Sequence, residues 1–159
     1  QKSTSLEQNT LIEITENAEV LYVEKILPGR IAHGEKFEFS KFSNRLRIQR
    51  DKQLILMENF ILDPENDSVY PWRSSFPSPF YGCLYLISQK VAEELSCRHA
   101  IHNMLSENLL VGVTSMHQKA GWMIKVLAGD PYEFRKAMKR IRELLCEAVG
   151  RLPTDFRRY

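Results

Sequence analysis

The sequence is poor in cysteine, and the few cysteines it has are widely separated. Its 159 residues include only three, Cys83, Cys97 and Cys146, and no two of them form a Cys-x-x-Cys pair. A small, odd set of this kind is typical of reduced thiols in a cytosolic protein and unlike the disulfide framework of a small secreted domain. We therefore expect a cytoplasmic protein whose core forms without disulfide bonds.

Long apolar runs and a strong net charge are also missing. No run in the sequence approaches the roughly 18 residues that a membrane span requires, and the polar residues 1–4 do not resemble the start of a signal peptide. The 22 basic and 20 acidic residues give a formal charge of +2, too small by itself to indicate a polyanionic partner. These absences predict that the protein binds neither membrane nor nucleic acid. Because the chain opens on Gln1 and not on Met, we expect it to begin at a boundary within a longer protein.

Motifs of the common catalytic classes are absent as well. The sequence has no glycine-rich phosphate loop with its lysine, and no serine or cysteine in a nucleophile elbow. The basic face of the last predicted helix has no interleaved stacking aromatics, so a solvated surface explains it better than nucleic-acid binding. These observations predict that the protein is not an enzyme.

What the sequence does contain is globular composition and a β-rich first part. The hydrophobic fraction of 43% and charged fraction of 26% fit one domain over residues 1–159. Within residues 10–63, apolar and polar residues alternate and β-branched and aromatic types are frequent, which predicts a succession of strands. These predicted strands are 11–14, 20–27, 37–42, 46–49 and 54–60, with turns that include Ser43-Asn44 and Asp51-Lys52.

The rest of the chain changes from a proline-dense segment to alternating strands and helices. Closely spaced prolines exclude a helix interior and a central strand, and Asp130 with Pro131 is typical of a helix start. The predicted segments are a loop at 64–82, a strand at 84–87, a helix at about 88–105, a strand pair at about 109–127 and a helix at 131–149. The predicted fold class is mainly β with two α-helices (α+β), with strands stacked in β-helix-like layers and an amphipathic helix at the C-terminal end.

A short segment holds the nearest approach to a metal-binding motif. His99 and His102 are three residues apart on the predicted helix and so share one face, while Cys97 points elsewhere. Two imidazoles can bind a transition metal, but a closed site needs more ligands than this segment provides. The pair therefore indicates either a small metal-dependent enzyme or ordinary surface histidines.

Carboxylates are spread along the strand-rich part, among them Glu24, Glu35 and Glu58. Residues of equal parity share one face of a strand, so such side chains can line a polar channel. They can equally form the solvated side of alternating strands. The pattern leaves both alternatives open.

One stretch resembles a known family. Residues 23–37, VEKILPGRIAHGEKF, resemble the most recognisable part of the urease accessory proteins called UreD, or UreH in some bacteria. The family's later features are matched in order by Leu62-Asp63-Pro64, the apolar strand 122–127, the helix at 134–148 and the arginine-rich tail at 152–159. Family members are considerably longer, so the chain resembles the C-terminal portion of such a protein.

The resemblance implies a non-enzymatic metallochaperone scaffold. Such a protein would bind apo-urease together with a helical UreF-like accessory subunit and a UreG-like GTPase subunit, and would support insertion of nickel into the urease active site. It implies no tightly bound cofactor, only nickel in transit. A generic β-rich protein-binding module is the alternative.

The resemblance also suggests which residues matter. The turn residues Gly29, Arg30, Gly34 and Glu35 would form a structural clamp or a partner contact. Weak, numerous ligands suit a transit route, so Glu24, Glu35 and Glu58 are preferred as nickel ligands over the histidine pair.

Overall fold

The computed structural model of the chain describes residues 4–29, 33, 37–63, 80–93 and 95–153. Within these residues the chain forms seven strands, two α-helices and two short 3-10 turns. In chain order they are β1 (Ser5–Ile14), β2 (Val20–Ile26), β3 (Lys41–Arg50), β4 (Gln53–Leu62), β5 (Phe80–Ile87), a 3-10 turn (Gln89–Glu93), α1 (Leu95–His102), β6 (Leu109–Ser115), a 3-10 turn (His117–Lys119), β7 (Gly121–Ala128) and α2 (Pro131–Ala148). The predicted class, mainly β with two helices, is confirmed. No helix in this part of the chain has the length and apolar character needed to cross a membrane.

The strands form two sheets. Sheet 1 has the order β1-β3-β4, in which β1 and β3 run parallel and β3 and β4 run antiparallel. The β3–β4 connection places Asp51 and Lys52 at φ 48° and 69°, as a type I′ hairpin turn requires. Sheet 2 has the order β2-β5-β7-β6, and all its pairings are antiparallel. The predicted stacking of strands thus takes the form of two sheets.

The molecule is layered as sheet 1, sheet 2 and helices, with β5 at the centre. All eight residues of β5 are buried because both of its faces are covered, and this explains its nearly unbroken apolar sequence. On one face, Tyr81, Cys83 and Tyr85 join a core with residues of sheet 1. On the other face, Leu84 and Leu86 join a core with α1 and α2.

The prediction of separate strands at 37–42 and 46–49 was wrong. Lys41–Arg50 is one continuous strand, so the turn assigned to Ser43-Asn44 does not form. Asn44 tolerates the strand interior because its side-chain amide is hydrogen-bonded there. Phe37 lies outside any strand with φ 54°, and its backbone N–H donates to Pro28 O at 2.8 Å. It packs with other aromatic rings, and the alternating aromatic residues that form this cluster resemble a strand pattern in the sequence.

The later elements differ from the prediction mainly at their ends. Strand β5 begins at Phe80, so the predicted loop at 64–82 ends before it, and residues 64–79 lie outside the described residues. In place of one helix at 88–105, a 3-10 turn that buries Val91 precedes the shorter helix α1. Helix α2 starts as predicted, since Asp130 accepts hydrogen bonds from two backbone N–H groups of its first turn.

Candidate functional site

A buried carboxylate lies between the two sheets. Glu24, on β2, is only 9% exposed, since its side chain points toward sheet 1. Its Oε1 accepts hydrogen bonds from Gln8 Nε2 at 3.3 Å and from the Tyr22 hydroxyl at 3.0 Å. Its Oε2 accepts from Asn44 Nδ2 at 3.1 Å. These three donors are neutral, so they solvate the carboxylate without balancing its charge.

Asn44 adds an oxygen to the same place. The residue is 2% exposed, and while Nδ2 donates to Glu24, Oδ1 is buried without a hydrogen-bond partner among the described residues. A buried acceptor without a partner costs free energy, and it is normally satisfied by a donor, a water molecule or a cation. The pair therefore places a carboxylate and a free amide oxygen side by side in the interior.

A second carboxylate, Glu58 on β4, lies in the same layer and is half-buried. Its Oε2 accepts a hydrogen bond from the Tyr85 hydroxyl at 2.5 Å, and its Oε1 pairs with Lys125 Nζ. The Glu58 side chain is 14% exposed and that of Lys125 is 42% exposed, so the pair opens partly to solvent. Among the described residues, Glu58 is thus paired with a cation, whereas the donors to Glu24 are neutral.

The two carboxylates are connected through tyrosine rings. Tyr22, which donates to Glu24, stacks on Tyr85, which donates to Glu58, with ring centroids 5.9 Å apart and an interplanar angle of 28°. The two hydrogen-bonded groups thus lie next to each other between the sheets, joined by the stacked rings. We call this region the inter-sheet polar layer, defined as Gln8, Tyr22, Glu24, Asn44, Glu58, Tyr85 and Lys125.

Burial keeps the tyrosine hydroxyls and the cysteine thiol in and beside this layer protonated. Burial raises the pKa of the Cys83 thiol to about 12. Burial is also the main cause of the raised pKa values of the Tyr81 and Tyr85 hydroxyls, with contributions from Cys83 and Glu58. At neutral pH these groups therefore offer neutral O–H and S–H donors and no thiolate or phenolate ligand.

The predicted metal ligands are not gathered into a ready-made site. Glu24 and Glu58 both belong to the inter-sheet polar layer, whereas Glu35 lies outside the described residues. On α1, His99 is exposed and His102 half-buried. Over the part of the chain that the structure describes, no group of three or more His, Cys, Asp or Glu side chains is placed to hold a metal ion. The metal role of these residues stays a prediction.

Only one of the family-like turn residues can be described. Gly29 has φ 108°, a backbone conformation that residues with a Cβ rarely adopt. The Phe37 backbone N–H donates to Pro28 O, and this hydrogen bond holds Phe37 close to the residue that precedes Gly29. Arg30, Gly34 and Glu35 lie outside the described residues.

Most members of the inter-sheet polar layer were not predicted from the sequence. Tyr22 shares parity with Glu24 on β2, and this could have placed both on one face. Lys125 is a charge within the apolar strand β7, which is an unusual position and a usable signal. Asn44 was missed because its residue type favours turns, and only the tertiary contact with Glu24 reverses that preference.

Comparison with known proteins gives a consistent result over the whole chain. The family model described as UreD urease accessory protein matches residues 1–159. The chain is 29% identical over 160 residues to "Urease accessory protein UreD" of Opitutus terrae, covering 99% of this chain and 57% of that protein. It is 28% identical over 148 residues to "Urease accessory protein UreD" of Actinobacillus pleuropneumoniae serotype 3, covering 91% and 54%.

A shorter match is closer in sequence. Over 63 residues the chain is 43% identical to "Urease accessory protein UreH" of Helicobacter hepaticus, covering 40% of this chain and 25% of that protein. In the two longer matches, the chain spans just over half the length of the curated relatives.

Proposed function

This chain belongs to the UreD urease accessory protein family, and we propose that it works as the C-terminal portion of a non-enzymatic scaffold for urease maturation. In this proposal the longer protein acts in the cytoplasm and binds apo-urease, a helical UreF-like subunit and a UreG-like GTPase. It supports the transfer of nickel to the urease active site, and nickel is its cargo. The family match and the two long relatives support the general role.

The observation that carries the nickel part of the proposal is the environment of Glu24. Its carboxylate is buried, and its described hydrogen-bond donors are all neutral. A buried charge of this kind is costly unless a cation compensates it. A divalent ion in contact with Glu24 and Asn44 Oδ1 would satisfy both the charge and the unpaired acceptor.

The donor types suit passage better than storage. Carboxylate and amide oxygens are hard ligands, and late first-row metals bind more tightly to imidazole and thiolate. The nearby Cys83 stays a thiol because burial raises its pKa to about 12. Nickel bound only by oxygens at Glu24 would therefore be released readily to the next site. Glu58, already paired with Lys125, would be a weaker second contact.

Replacing Glu24 by its neutral isostere tests this role. The full-length protein carrying Glu24→Gln is expressed with urease and its accessory subunits under limiting nickel, and nickel per urease is measured by elemental analysis beside urease activity. We expect nickel loading to fall by about ten-fold, the scale on which even indirect changes around a metal ligand act. Complex formation should be unchanged, because the substitution keeps the size and shape of the side chain.

Glu13→Gln is the matched control, since Glu13 is exposed on β1 and outside the polar layer. It removes the same charge and should leave nickel loading at the wild-type level. Equal loading in Glu24→Gln and Glu13→Gln would refute a role for Glu24 in transfer. A wild-type protein that binds neither apo-urease nor the accessory subunits would refute the scaffold itself.

A further inference from the structure

A groove lies beside helix α2, on the face of sheet 2 that points away from sheet 1. Its volume is about 510 Å³, and its floor is formed by Leu21 and Val23 of β2, Leu84 of β5 and Met138 of α2. In the described part of the chain, β2 is the last strand of sheet 2, so no further strand continues this floor. The helix layer thus covers the centre of the sheet and leaves an apolar strip over β2.

The walls of this groove are basic. Arg135, Lys139 and Arg142 line it from α2, and Lys25 lines it from β2, while no carboxylate belongs to its described lining. The three α2 residues are spaced i, i+4 and i+7, so they form one stripe along the helix. Arg135 and Lys139 are exposed. Lys139 Nζ lies 3.9 Å from Glu143 Oε1, a solvent-accessible pair that contributes little.

This combination specifies the shape and charge of an occupant. An apolar floor beside a helical stripe of cations matches a second helix that lies next to α2, with an apolar stripe facing down and an acidic stripe facing α2. Such a helix would extend the helix layer across β2. Nucleic acid fits less well, because the described lining contains no aromatic side chain on which a base could stack.

We propose that this groove, lined by Arg135 and Lys139, is a docking site for an acidic amphipathic helix of a partner protein. The proposal goes beyond the scaffold role above, because it assigns a specific surface and the chemistry that this surface recognises. It is independent of Glu24, which lies on the opposite face of β2.

A charge-swap experiment tests the proposal on the full-length protein. The probe is a fluorescent helical peptide of about 16 residues, or roughly four turns, with leucines on one stripe and glutamates at i, i+4 and i+7 on the adjacent stripe. A second peptide carries lysines in place of the glutamates. Binding is followed by fluorescence anisotropy to the wild type, to Arg135→Glu/Lys139→Glu and to the milder Arg135→Gln/Lys139→Gln.

The matched control is Lys136→Glu/Arg140→Glu. It reverses the same number of charges on exposed α2 residues that do not line the groove. We expect the glutamate peptide to bind the wild type and this control alike, and to bind the groove reversal at least about ten-fold more weakly, which is about 1.4 kcal/mol. The lysine peptide should show the opposite preference, and the glutamine variant should fall between.

Three results would overturn the proposal. One is equal binding of the glutamate peptide to the groove reversal and the control reversal, which would indicate unspecific attraction to a basic protein. Another is no binding of the glutamate peptide to the wild type, the result expected if another part of the longer protein fills the groove. The third is a groove-dependent affinity for duplex DNA or for phosphatidylglycerol vesicles that exceeds the affinity for the peptide. None of these results bears on the Glu24 experiment, so the two proposals fail separately.

Discussion

The two faces of strand β5 differ in chemistry although they belong to the same eight residues. The face toward α2 presents Phe80, Gly82, Leu84 and Leu86, and the core there is made of apolar side chains and one cysteine thiol. The face toward sheet 1 presents a cysteine thiol, two tyrosine hydroxyls and Ile87, and the Glu58 carboxylate of β4 accepts a hydrogen bond from one of these hydroxyls. The helix side resembles an ordinary core, whereas the sandwich side combines apolar side chains of both sheets with a polar layer that opens partly to solvent.

The two faces are therefore expected to contribute differently to stability. Apolar packing stabilises a fold without special geometry, so the helix side explains how the chain holds together. Buried polar groups are costly unless each is satisfied, and they contribute less to stability than apolar residues of the same size. The layer that retains Glu24, Asn44 and Glu58 is therefore the part of the molecule for which we propose a role in binding nickel.

The largest expected effect comes from damaging the helix side. Leu84 of β5 is fully buried in the core that β5 shares with α2. Leu84→Ala should therefore lower the free energy of unfolding by about 2–5 kcal/mol. Chemical denaturation measures this change. The matched control Leu11→Ala alters a leucine that is 56% exposed and should cost less than about 0.5 kcal/mol. Similar losses in the two variants would remove the distinction between the core and the surface.

A smaller effect is expected on the sandwich side. Tyr85→Phe removes the hydroxyl that donates to Glu58 at 2.5 Å and leaves the ring in place. We expect a loss of about 1.5–3 kcal/mol in the free energy of unfolding, the range for a hydrogen bond to a charged group. Tyr132→Phe, at a tyrosine that is 64% exposed, should change nothing measurable. A Tyr85→Phe loss as large as that of Leu84→Ala would contradict the view that the polar layer is secondary for stability.

The parts of the fold that could be predicted from sequence are those determined by local patterns. Alternation identified β2 and β4, and the Asp130-Pro131 start identified α2. The prediction divided strand β3 in two because asparagine favours turns. The hydrogen-bond partner that keeps Asn44 in the strand is Glu24, twenty residues away. Local propensity contains no information about such a contact.

The candidate site was predictable in part for the same reason. Glu24 and Glu58 were selected as carboxylates of the strand-rich part, and both lie between the sheets. Which of them has a cation beside it could not be predicted, because Lys125 reaches Glu58 from β7, across sixty-seven residues. The basic stripe of α2 was recognised as a charged helix face, but the groove beside it depends on β2 forming the floor.

The most direct test of the polar layer is a titration of the full-length protein with Ni²⁺, observed by NMR. Paramagnetic nickel broadens the signals of nearby nuclei, so the resonances of Glu24, Asn44 and Tyr22 should broaden first and recover when a chelator removes the metal. The Glu24→Gln variant should show no such broadening, and Glu13→Gln should behave as the wild type. Broadening centred on His99 and His102, unchanged by Glu24→Gln, would contradict the account.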